Sequence, residues 1–143
     1  MCSSDLDVVF HNQNKIRSTA VESPSEILLL GSSCDVIAID EAQFFDDSIV
    51  EIANQLANNG VRVVIAGLDM DFLGRPFGPM PALMATAEYV TKVHAICKRT
   101  GNLANYSMRT SQSKDLVELG ETESYETVNR RVFVDEVVSR NKL

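Results

Sequence analysis

Two short, nearly unbroken β-branched runs separated by one amphipathic helix leave this chain few folds to choose from. Val36-Ile37-Ala38-Ile39 is bounded by Asp35 and Asp40, and Val61-Arg62-Val63-Val64-Ile65-Ala66 follows one helix length later. Between them Asp46-Asp47-Ser48 offers N-caps, and Ser48 and Glu51 stand at capping-box spacing. Ile49, Ile52, Ala53 and Leu56 recur on one helical face, and Asn59-Gly60 closes the helix. Strand, helix, strand in this order predicts a parallel crossover and the α/β class. Because the first run does not alternate apolar with polar residues, it is expected to be buried on both faces of the sheet.

In open α/β sheets ligands gather beyond the carboxyl ends of the strands, and the first strand ends in two adjacent carboxylates, Asp40 and Glu41. An apolar run followed by Asp is how P-loop nucleotide enzymes hold the magnesium of a nucleotide, while a second carboxylate can take a proton from a nucleophile. Short motifs of this kind recur freely, and an ordinary strand meeting solvent ends the same way. The second strand leaves the same sheet edge as Gly67-Leu68-Asp69-Met70-Asp71-Phe72-Leu73-Gly74-Arg75-Pro76-Phe77-Gly78, whose glycines, aromatics and charges suit a binding loop.

Charge and cysteine usage narrow the partners. A formal net charge of −7 over 143 residues disfavours a nucleic-acid surface, which needs clustered Lys and Arg. A small anionic ligand held by backbone N–H groups stays compatible with that charge. Cys2, Cys34 and Cys97 are odd in number and widely spaced, which points to a reducing compartment rather than a disulfide framework. The sequence holds no apolar run long enough to span a membrane and no secretory signal pattern, so the expectation is a cytoplasmic protein without a membrane partner.

The texture of the chain divides it into three regions. Residues 1–6 read as a leader, either disordered or joined artificially to the strand-like run at Asp7, as translated sequencing-adapter DNA would be. Residues 7–97 carry the α/β elements. Asp7-Val8-Val9-Phe10 and Lys15 to Val21 are extended candidates, and Ser25 to Leu30 is a short helix stopped by Gly31, with Ser23 or Ser25 as cap. Pro79 and Pro81 open a helix over Met80 to Tyr89, and Lys92 to Cys97 reads as a further strand. Residues 98–143 form a small lobe, too short for a core of its own, in which Asn105 to Arg109 and Asp115 to Leu119 pair as a hairpin and Val128 to Val138 is a helix. His11 has no second histidine near it and reads as a surface or core residue rather than a ligand.

Asp40-Glu41-Ala42-Gln43-Phe44-Phe45, succeeded at domain spacing by Gly67-Leu68-Asp69-Met70-Asp71-Phe72 and Arg75-Pro76-Phe77-Gly78, closely resembles the cytosolic-type thymidine kinases from about Asp7 to Tyr125. The resemblance implies a parallel-sheet P-loop nucleotide-kinase core with a small C-terminal lasso lobe, and ATP-dependent phosphorylation of thymidine to its monophosphate. Glu41 would be the catalytic base that takes the 5′-hydroxyl proton. Asp40 would serve Mg²⁺, through water, and Gln43 would lie at the nucleotide site. Phe72 would stack on thymine, Leu116, Val117, Glu118, Leu119 and Gly120 would line the base largely through main-chain groups, and Tyr125 would reach the nucleoside. ATP, Mg²⁺ and thymidine are the implied ligands, and a homo-oligomer, a tetramer in the parent protein, the implied assembly.

Two departures from the family pattern stand out. No G-x-x-x-x-G-K-[ST] occurs in the chain, so the core is expected to lack its first strand, phosphate loop and first helix, and the chain as given to be inactive. Where many members hold zinc with two Cys-x-x-Cys pairs, the matching positions here are Cys97, Thr100, Asn129 and Val132, and one thiolate cannot make a tetrahedral structural site, so no zinc is expected. Two other readings remain open: a P-loop ATPase in which Glu41 activates water, and a non-catalytic nucleoside-binding or assembly module.

Overall fold

The computed structural model describes residues 5–9, 15–110 and 125–140. Its centre is the crossover expected from the sequence: β3 (Val36–Ile39), α2 (Ser48–Asn58) and β4 (Arg62–Ile65), with β3 and β4 parallel and Val36 level with Arg62. Before them come an antiparallel pair, β1 (Asp5–Val9) and β2 (Lys15–Thr19), and the helix α1 (Pro24–Gly31). The first strand thus begins at Asp5 and pairs Leu6 with Ser18, so those two residues of the anticipated leader are part of a strand.

One face of β3–β4 makes the main core. Ile39, Ile27 of α1, and Ile49, Ala53 and Leu56 of α2 are buried together with Val61, Met80 and Leu83, and Ile37, Val63 and Ile65 pack against them. Ile49 and Leu56 are fully buried. Burying each such side chain contributes about 1.5–3 kcal/mol, which fixes α2 on the strands despite its modest length. The expectation that Val36–Ile39 is covered on both faces is corrected: Val36 and Ala38 are exposed, as are Arg62 and Val64 beside them. Both helices lie on the side of Ile37, Ile39, Val63 and Ile65, and among the described residues no element covers the other side.

Helix ends differ from the sequence reading in ways local chemistry explains. For α1 the cap is Ser23, and the Glu26 carboxylate turns back to accept the Ser23 N–H at 3.1 Å. The capping box read at Ser48 and Glu51 does not form. Asp47, one of the three N-caps offered by the sequence, holds the cap position, and Asp46 Oδ1 accepts the Ser48 N–H at 2.8 Å. Asn59 and Gly60 do end α2, with Gly60 at a φ of 87°. The next helix, α3 (Met80–Thr86), stops short of Tyr89 because only Met80 and Leu83 reach the core, and every residue from Ala85 to Ile96 is exposed. The strand read over Lys92 to Cys97 shrinks for the same reason to β5 (Ala95–Ile96), paired with β6 (Leu103–Ala104).

The lobe is built from β7 (Tyr106–Arg109), β8 (Tyr125–Val128) and α4 (Arg130–Arg140). β7 pairs antiparallel with β8, Arg109 opposite Tyr125, instead of with Asp115 to Leu119, which lie outside the described residues. Val128, read as helical, is the last residue of β8. The lobe also buries a small cluster of its own, contrary to the expectation from its length: Cys97, Ala104, Tyr106, Met108, Val128 and Phe133. Tyr106 and Phe133 stack at 4.4 Å, and that pair of large rings supplies apolar area that chain length alone does not reveal. Met70, on the loop after β4, packs against this cluster and ties the lobe to the core.

No helix among the described residues is long and apolar enough to cross a membrane.

Candidate active site

The backbone turns sharply at the end of β3. Ala66 donates its N–H to the Ile39 carbonyl at 2.8 Å, and Ala42 donates to the Ala66 carbonyl at 3.0 Å, so the chain on both sides of Asp40 and Glu41 is pinned to the end of β4. Between those pins Glu41 adopts a left-handed conformation, φ 53° and ψ 38°, the one positive φ outside glycine among the described residues. A non-glycine residue held there stores about 1–3 kcal/mol, and such strain persists only where the surroundings over-determine it. Asp40 is exposed at the sheet edge, and its Oδ1 accepts the Glu41 N–H at 2.9 Å.

Gln43 supplies the over-determination. It is 3% exposed and lies in the short 3₁₀ turn Ala42–Phe44. Its Nε2 donates to Glu41 Oε2, and its Oε1 accepts the Leu68 N–H at 2.9 Å. One amide therefore joins the Glu41 carboxylate to the backbone of the loop that leaves β4. Two glycines make room for it. A Cβ on Gly67 would lie 2.8 Å from Gln43 Oε1, and one on Gly78, whose φ is +48°, would lie 2.4 Å from the Gln43 carbonyl oxygen.

The loop 67–78 is a tight structure around one side chain. Asp71 Oδ1 accepts the N–H groups of Leu73 and Arg75, both at 2.9 Å, while the Asp71 N–H donates to the Arg75 carbonyl at 2.9 Å and Phe77 donates to the Asp69 carbonyl at 3.1 Å. Lys92 reaches Asp69 at 2.5 Å. The loop thus presents Phe72 and Phe77 toward Glu41 on a fixed frame.

These elements enclose a cavity of about 200 Å³ lined by Glu41, Gln43, Phe44, Leu68, Met70, Asp71, Phe72, Phe77, Ser107 and Tyr125. It brings together four residues singled out from the sequence: Glu41, Gln43, Phe72 and Tyr125. Asp40 lies one residue outside it, and Leu116, Val117, Glu118, Leu119 and Gly120 lie outside the described residues. Residues the sequence reading had not singled out complete the wall. Phe44 and Phe77 meet edge to face at 5.7 Å. Both belong to the two sequence motifs, so an aromatic at a strand-end turn was the available signal; nothing local marks Ser107. Of the two carboxylates that line the cavity, Asp71 accepts hydrogen bonds from its own loop, and Glu41 beside several aromatic rings suits a planar, weakly polar ring that carries a hydroxyl.

Cys97, Thr100, Asn129 and Val132, read from the sequence as the positions matching the family's zinc ligands, lie together. Thr100 Oγ1 accepts from Asn129 Nδ2 at 2.8 Å, and Asn129 Oδ1 accepts the Val132 N–H at 2.9 Å, capping α4. Cys97 is buried beside them, and a hydrogen bond from the Thr100 side chain, helped by the backbone of Asn129, Arg99 and Thr100 against the opposing effect of burial, holds its thiol down to about 7. Arg99 forks onto Glu126 at 2.9–3.2 Å and reaches Glu136 at 2.5 Å, which raises its own basicity and lowers that of the Glu126 carboxylate. Hydrogen bonds and ion pairs thus fasten the β5–β6 turn to β8 and α4.

The site is an α/β unit whose acidic strand end lines an aromatic cleft. The thymidine kinase family model matches residues 3–133. The chain is 57% identical over 130 residues to the thymidine kinase of Bacteroides fragilis, a match covering 91% of this chain and 65% of that protein. It is 54% identical over 131 residues to that of Bacteroides thetaiotaomicron, covering 92% and 66%, and 56% identical over 129 residues to that of Porphyromonas gingivalis, covering 90% and 63%. The chain belongs to the thymidine kinase family, and it spans just under two thirds of the length of these relatives.

Proposed function

We propose that the protein to which this chain belongs transfers the γ-phosphoryl group of ATP to the 5′-hydroxyl of thymidine, with Glu41 as general base. The observation that carries this reading is the strained Glu41, fixed by Gln43 at the mouth of an aromatic cavity. In such a transfer the protein chiefly positions the reactants and compensates charge. The thymine ring enters among Phe72, Phe44 and Phe77, beside Tyr125, and by analogy with the family Leu116, Val117, Glu118, Leu119 and Gly120 recognise the base. The sugar then points its hydroxyl at Glu41, whose carboxylate takes the proton as the oxygen attacks phosphorus. Gln43, buried beneath Glu41, holds the carboxylate in that direction and takes no part in the proton transfer.

Asp40 fits the family's Mg²⁺ role, because it is an exposed carboxylate at the strand end and Mg²⁺ with a nucleotide needs only one or two carboxylates besides phosphate oxygens and water. When bound, the ion neutralises charge on the phosphates. The cavity favours a nucleoside acceptor over bare water, which supports the kinase reading over an ATPase. By analogy with the family, the whole protein is a cytoplasmic homo-oligomer, a tetramer; with one cysteine among the four matching positions it departs from the zinc-holding members and needs no zinc.

The 143 residues carry the acceptor side of this site and no phosphate-loop motif, so by themselves they are expected to bind thymidine without phosphorylating it. Calorimetry of the chain with thymidine tests the first half, and absence of binding overturns the reading. In a thymidine kinase that carries this chain together with a phosphate loop, Glu41→Gln is expected to lower the rate of thymidine phosphorylation by a factor of about 10² to 10⁴ while thymidine still binds. A variant as fast as the parent would remove Glu41 from the role of base.

A further inference from the structure

We propose that Arg109 is a positioning residue for the nucleoside cleft, a buried cation that sets two aromatic side chains of its wall, Phe72 from the core and Tyr125 from the lobe, from behind; the inference rests on reading that cleft as the thymidine site. Arg109 is 2% exposed at the end of β7. Its guanidinium carbon lies 4.0 Å from the centre of the Phe72 ring and 5.3 Å from that of Tyr125, and Nη2 donates to Tyr125 Oη at 2.6 Å. Phe72 and Tyr125 both line the cavity, whereas Arg109 is not among the described residues that do.

Burying a guanidinium is costly unless its surroundings compensate it, so its presence here calls for a structural consequence. A planar, delocalised cation can sit over one ring while an edge N–H reaches a phenol oxygen; the ammonium of lysine is a compact point charge on a single atom and is poorly suited to do both. Phe72 is carried by the loop 67–78 of the core, while Arg109 and Tyr125 are cross-strand partners in the lobe. Arg109 therefore couples the two halves of the molecule at the cleft. One face of Phe72 is taken by the guanidinium, which leaves the opposite face and edge for a ligand ring, and the orientation of that ring is dictated from the lobe.

The test is a double-mutant cycle read by thymidine affinity. Calorimetry is run on the full chain as wild type, Arg109→Lys, Phe72→Leu and the double variant, with circular dichroism to check folding. A desolvated cation–π contact predicts that Arg109→Lys weakens thymidine binding about tenfold. Because Arg109 acts partly through Phe72 and partly through Tyr125, the double variant is expected to bind only about threefold more weakly than Phe72→Leu alone, short of the full tenfold, a non-additivity that a general loss of stability does not produce. Tyr125→Phe removes only the acceptor hydroxyl and is expected to weaken binding about threefold, so it decides the matter if the buried lysine prevents folding. Unchanged affinity in Arg109→Lys, or in Tyr125→Phe where the lysine variant does not fold, or effects that add in full in the double variant, would overturn the inference. Failure of the wild type to bind thymidine would instead overturn the functional reading beneath it.

Discussion

Replacing Gln43 by methionine isolates the interaction that holds the catalytic turn. Methionine matches the length and volume of glutamine, so the substitution leaves little cavity in a site where Gln43 is 3% exposed. It removes the acceptor of the Leu68 N–H, now bonded at 2.9 Å, and the donor to Glu41. The Glu41 carboxylate is exposed and regains water, so its loss adds little. The Leu68 N–H is part-buried, and an unsatisfied donor of this kind costs about 1–3 kcal/mol. We expect a destabilisation of about 2 kcal/mol, read as a fall in Tm of roughly 4–8 °C for a domain of this size. Urea unfolding and calorimetric melting of the purified chain measure this without any need for activity. Gln43→Glu is the control, since it keeps an acceptor for Leu68 but sets a second carboxylate against Glu41. A Tm for Gln43→Met within one degree or so of the wild type would refute the reasoning, because it would show that the Glu41 turn holds its shape without the amide.

Two further perturbations probe the same framework. Gly78→Ala puts a Cβ 2.4 Å from the Gln43 carbonyl oxygen at a φ of +48°, so it is expected to destabilise the chain by about 1–3 kcal/mol in urea unfolding; a neutral result would mean that the loop shifts freely. Cys97, whose thiol is held at about 7 against an ordinary value of 9.0, makes stability depend on pH. Because the folded value is the lower one, the stabilisation is complete above about pH 9 and is lost as pH falls through about 7, so the urea midpoint is expected to rise between those limits. Thr100→Val removes the main cause and is expected to flatten that rise; an unchanged slope would assign it to other groups.

Much of the fold was legible because the crossover is encoded locally. The spacing of Ile49, Ala53 and Leu56, the turn at Asn59-Gly60 and the β-branched runs around them each point to one conformation, and the parallel pairing of β3 and β4 follows. Element ends were less legible. Whether Met80 starts a helix that reaches Tyr89 depends on what its later turns bury, and the stretch from Ala85 to Ile96 stays exposed. The open face of Val36 and Ala38 is of the same kind, since burial of a strand is decided by its neighbours rather than by its own residues.

For the site, the sequence by itself determined which chemical groups are available: a carboxylate pair at a strand end, an aromatic loop and no phosphate-loop motif in these 143 residues. Tertiary structure alone decided how they act. It bent Glu41 into a left-handed turn, made Gln43 a buried strut beneath it, and brought Ser107 and Tyr125 of the lobe to the same cavity as Phe44 and Phe77 of the core. Arg109 shows the reason most directly. Nothing in its neighbourhood along the chain marks it, because its significance lies in sitting over the ring of Phe72, a residue of the other half of the molecule, and such contacts exist only once the two halves have packed.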